Sequence, residues 1–292
     1  MSVITFIINP TSGTGKSKNI PALIHSYFPT TGHTYRIRFT EYAGHAKMIV
    51  NEEIANGTRI IVAVGGDGTV NEVASGLLHS QAALGIVPTG SGNGLARHLG
   101  IPMSAFKALK VIAENYVTTI DSGEVNGHPF FCTAGVGFDA TVAERFSKIK
   151  GRGFMNYIKA SLNEYRTFQP QTLNDSEGNV YHGFLLTVCN ANQYGNDAFI
   201  CPSAQLNDGK LELVQVSPLS LFQLPLFLIQ LLNKKLHLNK HYRKHSFSSL
   251  TLKRKVKGPL HIDGDPLSYD SEFFFRCIPQ SLNILIPSEK YS

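Results

Sequence analysis

From Ile60 an apolar, β-branched run, Ile60-Ile-Val-Ala-Val64, breaks into Gly65-Gly-Asp-Gly-Thr69 and resumes with helical spacing through Val70, Asn71 and Glu72. That order reads as strand, glycine-rich loop and helix. Without Cβ atoms at Gly65, Gly66 and Gly68, backbone N–H groups can come close to a phosphate, and the following helix turns its positive end to the same place. Asp67 repels phosphate, so beside a triphosphate it makes chemical sense with Mg²⁺ or an ordered water in between. Thr69 and Asn71 add neutral hydrogen-bonding groups. A plainer reading stays open, in which the glycines serve a tight βα connection and Asp67 caps the helix.

Other stretches repeat the pattern. Val3–Ile8 empties into Asn9-Pro-Thr-Ser-Gly-Thr-Gly-Lys-Ser17, which is not a Walker A loop because Pro10 stands where that cradle needs glycine. The strand ending at Val87-Pro88 leads into Thr89-Gly-Ser-Gly-Asn-Gly-Leu-Ala-Arg97, where Ser91 and Asn93 could reach a phosphate or a metal's water shell, and Arg97 could meet phosphate charge. Ligands of open α/β sheets bind at these carboxyl ends. Far downstream, Leu260-His-Ile-Asp-Gly-Asp-Pro266 ends a strand in a tight acidic turn.

The Gly65–Thr69 string with Asn71 and Glu72 resembles the nucleotide loop of the diacylglycerol kinase catalytic-domain family, which includes bacterial lipid kinases and sphingosine kinases; NAD kinases share the GGDGT core more distantly. The Asn9 stretch resembles the family's NPxSGxGK opening, and Thr40-Glu-Tyr-Ala-Gly-His-Ala46 its TExxGHA stretch. The resemblance implies ATP and Mg²⁺ as cofactors and a nucleotide site at Asn9, Thr40, Gly65, Gly66, Asp67, Gly68, Thr69, Val70, Asn71 and Ser91. His45 reads better as a structural histidine. Asp121-Ser-Gly123 resembles the point where the family crosses into its second domain. Tyr194-Gly195 and the run Pro202–Leu213 resemble a signature in which Gln205, Asp208 and the Lys210 carbonyl would hold a second, weak Mg²⁺; an Asp-Gly turn between strands is the alternative.

Two departures stand out. Gly94 occupies the place of a typical diacylglycerol kinase aspartate and brings the loop nearer the GSGNxLA of sphingosine kinases. Asp265 replaces a glutamate that serves the family as general base, so the carboxylate survives one methylene shorter. Asp67 and Asp265 are thus the implied catalytic residues of a lipid kinase acting on diacylglycerol or a sphingoid base, with the site expected where the two domains meet. An NAD kinase-like enzyme, or a lipid- or nucleotide-binding protein without turnover, is the alternative, although the Asp208-Gly209 and Asp263–Asp265 stretches match the lipid branch.

The elements that must position these groups fall into two domains. Residues 1–121 alternate strands and helices and predict an NAD kinase-like α/β domain with a parallel sheet. Residues 122–292 turn to short strands punctuated by Gly, Pro and Asn, which predicts a mainly antiparallel β-sandwich, interrupted by a helical insertion near 138–166. At 292 residues, 42% hydrophobic and 16% charged, the chain is globular rather than disordered.

The start of the chain has no basic leader and reads as a first strand. Cys132, Cys189, Cys201 and Cys277 lack metal or disulfide spacing and predict buried thiols in a reducing compartment. The net charge of +6 is concentrated: residues 234–257 hold nine Lys or Arg and no acid, just after the apolar run Leu219–Leu232, which is too short to span a bilayer. That composition suits transient contact with an anionic membrane, and a core helix followed by a solvated basic loop is the alternative. His237, His241 and His245 fall at helical spacing, but the surrounding cations oppose a metal there. The reading places the protein in the cytoplasm, peripheral at the membrane, with no nucleic-acid partner and room for a homodimer.

Overall fold

The computed structural model describes residues 3–147, 165 and 167–288. It forms two compact units, Met1–Ile120 with Gln280–Ser292, and Asp121–Pro279.

In the first unit, strands β1 (Val3–Ile8), β2 (Thr34–Phe39), β3 (Ile60–Gly65) and β4 (Ala83–Pro88) lie parallel in the order β2-β1-β3-β4. Every residue of β3 and β4 is buried, which is why their sequence is continuously apolar rather than alternating. Helices α1 (Ile20–Tyr27), α2 (His45–Ala55), α3 (Asp67–Leu77), α4 (Gly94–His98) and α5 (Ala105–Glu114) make the connections. The buried Glu53 of α2 is fully engaged. It accepts hydrogen bonds from Thr5 Oγ1 (2.8 Å), Thr58 Oγ1 (3.0 Å) and Arg38 Nη1 (3.1 Å), with Arg36 Nη1 at 3.4 Å.

β5 (Val117–Val125) leads into the second unit, where β6 (His128–Phe130), β7 (Thr133–Gly135), α6 (Phe138–Ser147), β8 (Gln171–Asp175), β9 (Val180–Gly183), β10 (Leu185–Cys189), β11 (Leu211–Val216), a helix at Leu224–Leu232, β12 (Tyr242–Phe247), β13 (Ser249–Ile262) and β14 (Asp265–Leu285) follow. Antiparallel pairing runs β12-β11-β10-β7-β13-β14, with β9 carried on β8 beside β13, and β5–β6 on β14. One apolar cluster gathers Phe130, Leu186, Phe273 and Phe275, and a second Phe138, Phe184, Ile200 and Phe227. The last part of β14 belongs to the first unit: Asn283 and Ile284 pair parallel with Ala83 and Leu84 of β4.

The fold class thus matches the expectation, and the details correct it in two places. Instead of the short strands expected there, β13 and β14 are long and their pairing is bulged. The buried Arg254 explains how β13 survives its polar middle: its guanidinium donates to the carbonyls of Asp270, Val136, Gly258 and Pro259 and lies over the Phe273 ring. His237, His241 and His245 share no helix, because His237 sits in a single 3₁₀ turn, His241 in a turn and His245 on β12. Of the expected helical insertion, α6 is described over Phe138–Ser147, and residues 148–164 and 166 lie outside the described residues.

Candidate functional site

The strand order reverses at β1, which connects to β2 on one side and has β3 on the other; such a switch point leaves a crevice at the strands' carboxyl ends. Three predicted loops meet there. Asn9 Nδ2 donates to Thr69 Oγ1 (3.2 Å), joining the loop after β1 to the start of α3. Ser12 and Thr89 share a hydroxyl hydrogen bond of 2.8 Å, joining it to the loop after β4. A Cβ on Gly90 would stand 2.5 Å from the Gly66 Cα, so bare backbone on both sides lets the second and third loops touch.

Asp67 makes the tightest connection. Its Oδ2 accepts from the Asn93 N–H (2.9 Å) and its Oδ1 from the Gly94 N–H (2.8 Å). Its charge is therefore directed at the start of α4, and no side chain caps its own helix, α3, at Gly66. The early N–H groups of an α-helix have no intrahelical acceptor and favour an anion. Here the departure at Gly94 gains a physical meaning, since the residue meets Asp67 through its backbone.

The other predicted nucleotide residues are placed less uniformly. Thr69 and Val70 are buried, with the Val70 N–H donating to the Gly66 carbonyl, so Val70 has only backbone to offer. Asn71 is half-buried and accepts from Ser75 Oγ (3.4 Å). Thr40 follows β2, its N–H donating to the Ile8 carbonyl at the end of β1. Ser91 is exposed. Arg97 Nε donates to the Gly92 carbonyl and closes the loop on itself. Asn93, in the left-handed region and 8% exposed, buries its Oδ1 with no hydrogen-bond donor.

Glu72, quoted in the motif without a role, accepts the Gly44 (2.9 Å) and Ala46 (3.2 Å) N–H groups and anchors the loop before α2. His45 Nδ1 accepts the Glu41 N–H and its ring stacks on Tyr42, as befits a structural histidine.

In the second unit, Asp263 and Gly264 form a two-residue hairpin turn, both at positive φ, with Ile262 paired to Asp265. Asp263 is committed to structure: its carboxylate accepts N–H groups from Phe131, Cys132 and Thr133 at 2.8–3.0 Å. Asp265, which follows the turn, is exposed at the start of β14. Behind this turn lies a polar cluster that the sequence reading missed, centred on Asp139 of α6 (3% exposed) and His261 of β13 (2% exposed).

Asp121 is buried and its Oδ2 accepts the Gly209 N–H (2.7 Å), linking the Asp121-Ser-Gly123 and Asp208-Gly209 stretches. Asp208 is exposed, with Oδ1 accepting the Lys210 N–H (3.1 Å), and Gln205 and Lys210 are exposed in the same loop. Burial, and then the charges of Asp121 and Asp208, push the nearby Cys277 thiol up to about 12. Among the described residues no three His, Cys, Asp or Glu side chains converge as metal ligands. All four cysteines are buried and none forms a disulfide.

Comparison with known proteins bears on the family and the fold. Residues 3–125 match the family model described as diacylglycerol kinase catalytic domain, and residues 132–286 the model described as YegS C-terminal NAD kinase beta sandwich-like domain. A Shigella dysenteriae protein named probable lipid kinase YegS is 30% identical over 270 residues, covering 88% of each chain, and an Escherichia coli protein of that name matches equally. A crystal structure of a candidate diacylglycerol kinase from Bacillus anthracis superposes with a TM-score of 0.79, covering 99% of this chain and 98% of that one; at 22% identity it speaks to the fold.

Proposed function

The chain belongs to the diacylglycerol kinase catalytic-domain family, and from that premise we propose that it transfers the γ-phosphate of ATP to a hydroxyl of diacylglycerol or a sphingoid base. The observation that carries this reading is the meeting of three glycine-rich loops at the switch point of the first sheet, beside the uncapped start of α3. In this reading the first-turn N–H groups of α3 bind phosphate oxygens, and Asn9 and Thr69 fix the loops that present them.

The donors nearby are hard oxygens, the Asp67 carboxylate and the partnerless Oδ1 of Asn93, and they fit Mg²⁺. Bound there, the ion would neutralise charge on the triphosphate. Gln205, Asp208 and the Lys210 carbonyl would hold a second Mg²⁺ weakly, with Asp208 the single anionic ligand. Asp265 accepts the acceptor hydroxyl's proton. A loose phosphoryl-transfer transition state asks little of that base, so a shorter carboxylate suffices.

The same reading has the protein visit an anionic membrane from the cytoplasm. Two features support it: Leu221, Phe222, Leu226 and Ile229 are exposed around the helix Leu224–Leu232, Phe222 almost completely at 95%, and no acid occurs between Glu212 and Asp263 while Lys234, Lys235, Lys240 and Arg243 are exposed. Among the described residues no helix is long and apolar enough to cross a membrane.

The test is incubation of the purified chain with labelled ATP, Mg²⁺ and a mixed lipid extract, with products identified by mass. A phosphorylated lipid that Asp265→Asn abolishes while ATP binding persists supports the proposal. NADP formed from NAD would replace it with the NAD kinase reading, and ATP binding without turnover on any lipid would leave a binding protein.

A further inference from the structure

His261 and Asp139 form a buried pair for which the mechanism so far has no use. His261 lies opposite Gly135 in the β13–β7 ladder, and a Cβ at position 135 would fall 2.1 Å from Asp139 Oδ2 and 2.4 Å from His261 Nε2. The bare glycine makes room for the two side chains to meet. Asp139 Oδ1 accepts the N–H groups of Gly137 (3.2 Å) and Ala140 (3.0 Å), while Oδ2 accepts the Thr187 and Tyr194 hydroxyls and lies 3.2 Å from His261 Nε2. That last contact has the distance of an ion pair without a well-directed hydrogen bond.

The other ring nitrogen faces the acidic turn. His261 Nδ1 accepts the Gly264 N–H at 3.3 Å, and Gly264 immediately precedes Asp265. An N–H donor can be accepted only by a ring nitrogen that carries no proton, so this geometry requires the neutral ring with its hydrogen on Nε2, toward the ionised Asp139. Near the pair, the Thr187 hydroxyl donates to Asp139, the Tyr194 ring lies 6.3 Å from the His261 ring, and Arg254 donates to the Val136 carbonyl; the Asp263 carboxylate is turned to the Phe131, Cys132 and Thr133 N–H groups.

We propose that His261 is a positioning residue: held in one tautomer by Asp139, it fixes the Asp263-Gly264 turn through the Gly264 N–H and so sets where the Asp265 carboxylate stands. The claim for catalysis rests on Asp265 as the base, whereas the claim for the tautomer does not. A ring that carries protons on both nitrogens cannot accept at Nδ1, so it gives up the Gly264 N–H and frees the turn. An ångström of misplacement at a reacting group costs up to about 100-fold in rate.

The direct test is NMR of the full chain carrying ¹⁵N-histidine, which distinguishes the two neutral tautomers from the charged ring. The expected result is the Nε2–H tautomer at alkaline pH, with the Gly264 amide resonance moving as the ring is protonated; an Nδ1–H tautomer, or a Gly264 resonance indifferent to the ring, overturns the proposal. Kinetics supply the second arm. His261→Leu, which removes the acceptor, should lower kcat about 10–100-fold with the KM for ATP unchanged, and His261→Asn, whose side-chain oxygen can take the place of Nδ1, should recover most of it. Leucine and asparagine variants with the same kcat would overturn it. If no lipid is phosphorylated, the kinase reading fails by itself while the tautomer is still decided by NMR.

Discussion

Replacing Asp67 by asparagine tests the central loop contact most sharply. The carboxylate accepts two backbone N–H groups, from Asn93 and Gly94. An amide keeps one acceptor oxygen and turns its NH₂ toward the other N–H. One charge-assisted hydrogen bond, about 1.5–3 kcal/mol, is therefore lost and a donor is left facing a donor. At about 2–4 °C per kcal/mol for a domain of roughly this size, the melting midpoint should fall by about 3–12 °C. Nucleotide binding and turnover should fall with it, because the loop after β4 loses its hold. Circular dichroism on heating and ATP titration of the same preparation measure both. An unchanged melting midpoint with lost turnover would refute the structural account and leave Asp67 a purely chemical role; a variant unchanged in both would remove it from the site.

Further outcomes follow from other contacts. Gly90→Ala puts a Cβ 2.5 Å from the Gly66 backbone and should destabilise by about 1–3 kcal/mol and weaken ATP binding, read by melting and nucleotide titration. Glu53 is held below its ordinary pKa of 4.5: burial opposes this, but Thr5, Thr58, Arg36 and Arg38 prevail. A folded-state pKa below the unfolded one gives stability that is present above about pH 4.5 and lost as pH falls through the folded value. Glu53→Gln should therefore show a lower urea midpoint at pH 7 and a shallower loss on acidification than the parent protein. Phe222→Asp, at a fully exposed position, should weaken sedimentation with vesicles containing anionic lipid about tenfold or more while leaving the melting midpoint unchanged, since burying one Phe is worth about 1.5–3 kcal/mol.

Much of the first unit was legible because buried parallel strands write themselves as apolar runs, and because glycine-rich turns mark their ends. β12 was not, since Tyr242-Arg-Lys-His-Ser-Phe247 reads as a basic segment; it is a strand at the end of the sheet, paired with β11, and charge there guards against association with other chains. β13 and β14 were not legible as single long strands, because register shifts between Lys253 and His261 and the Arg254 guanidinium carry the ladder across polar sequence. The loops were found by composition, but the contact of Asp67 with Asn93 and Gly94 depends on two adjacent strand ends meeting. Likewise, nothing local to Asp139 or His261 announces a partner distant in sequence.

The arrival of residues 280–285 beside β4 has a consequence during synthesis. Until those residues leave the ribosome, that edge of the sheet presents unpaired N–H and C=O groups, a template for joining other nascent chains. A stop codon near the end of the message would thus injure the half of the molecule translated first, and an isolated fragment of residues 1–120 would be expected to clump.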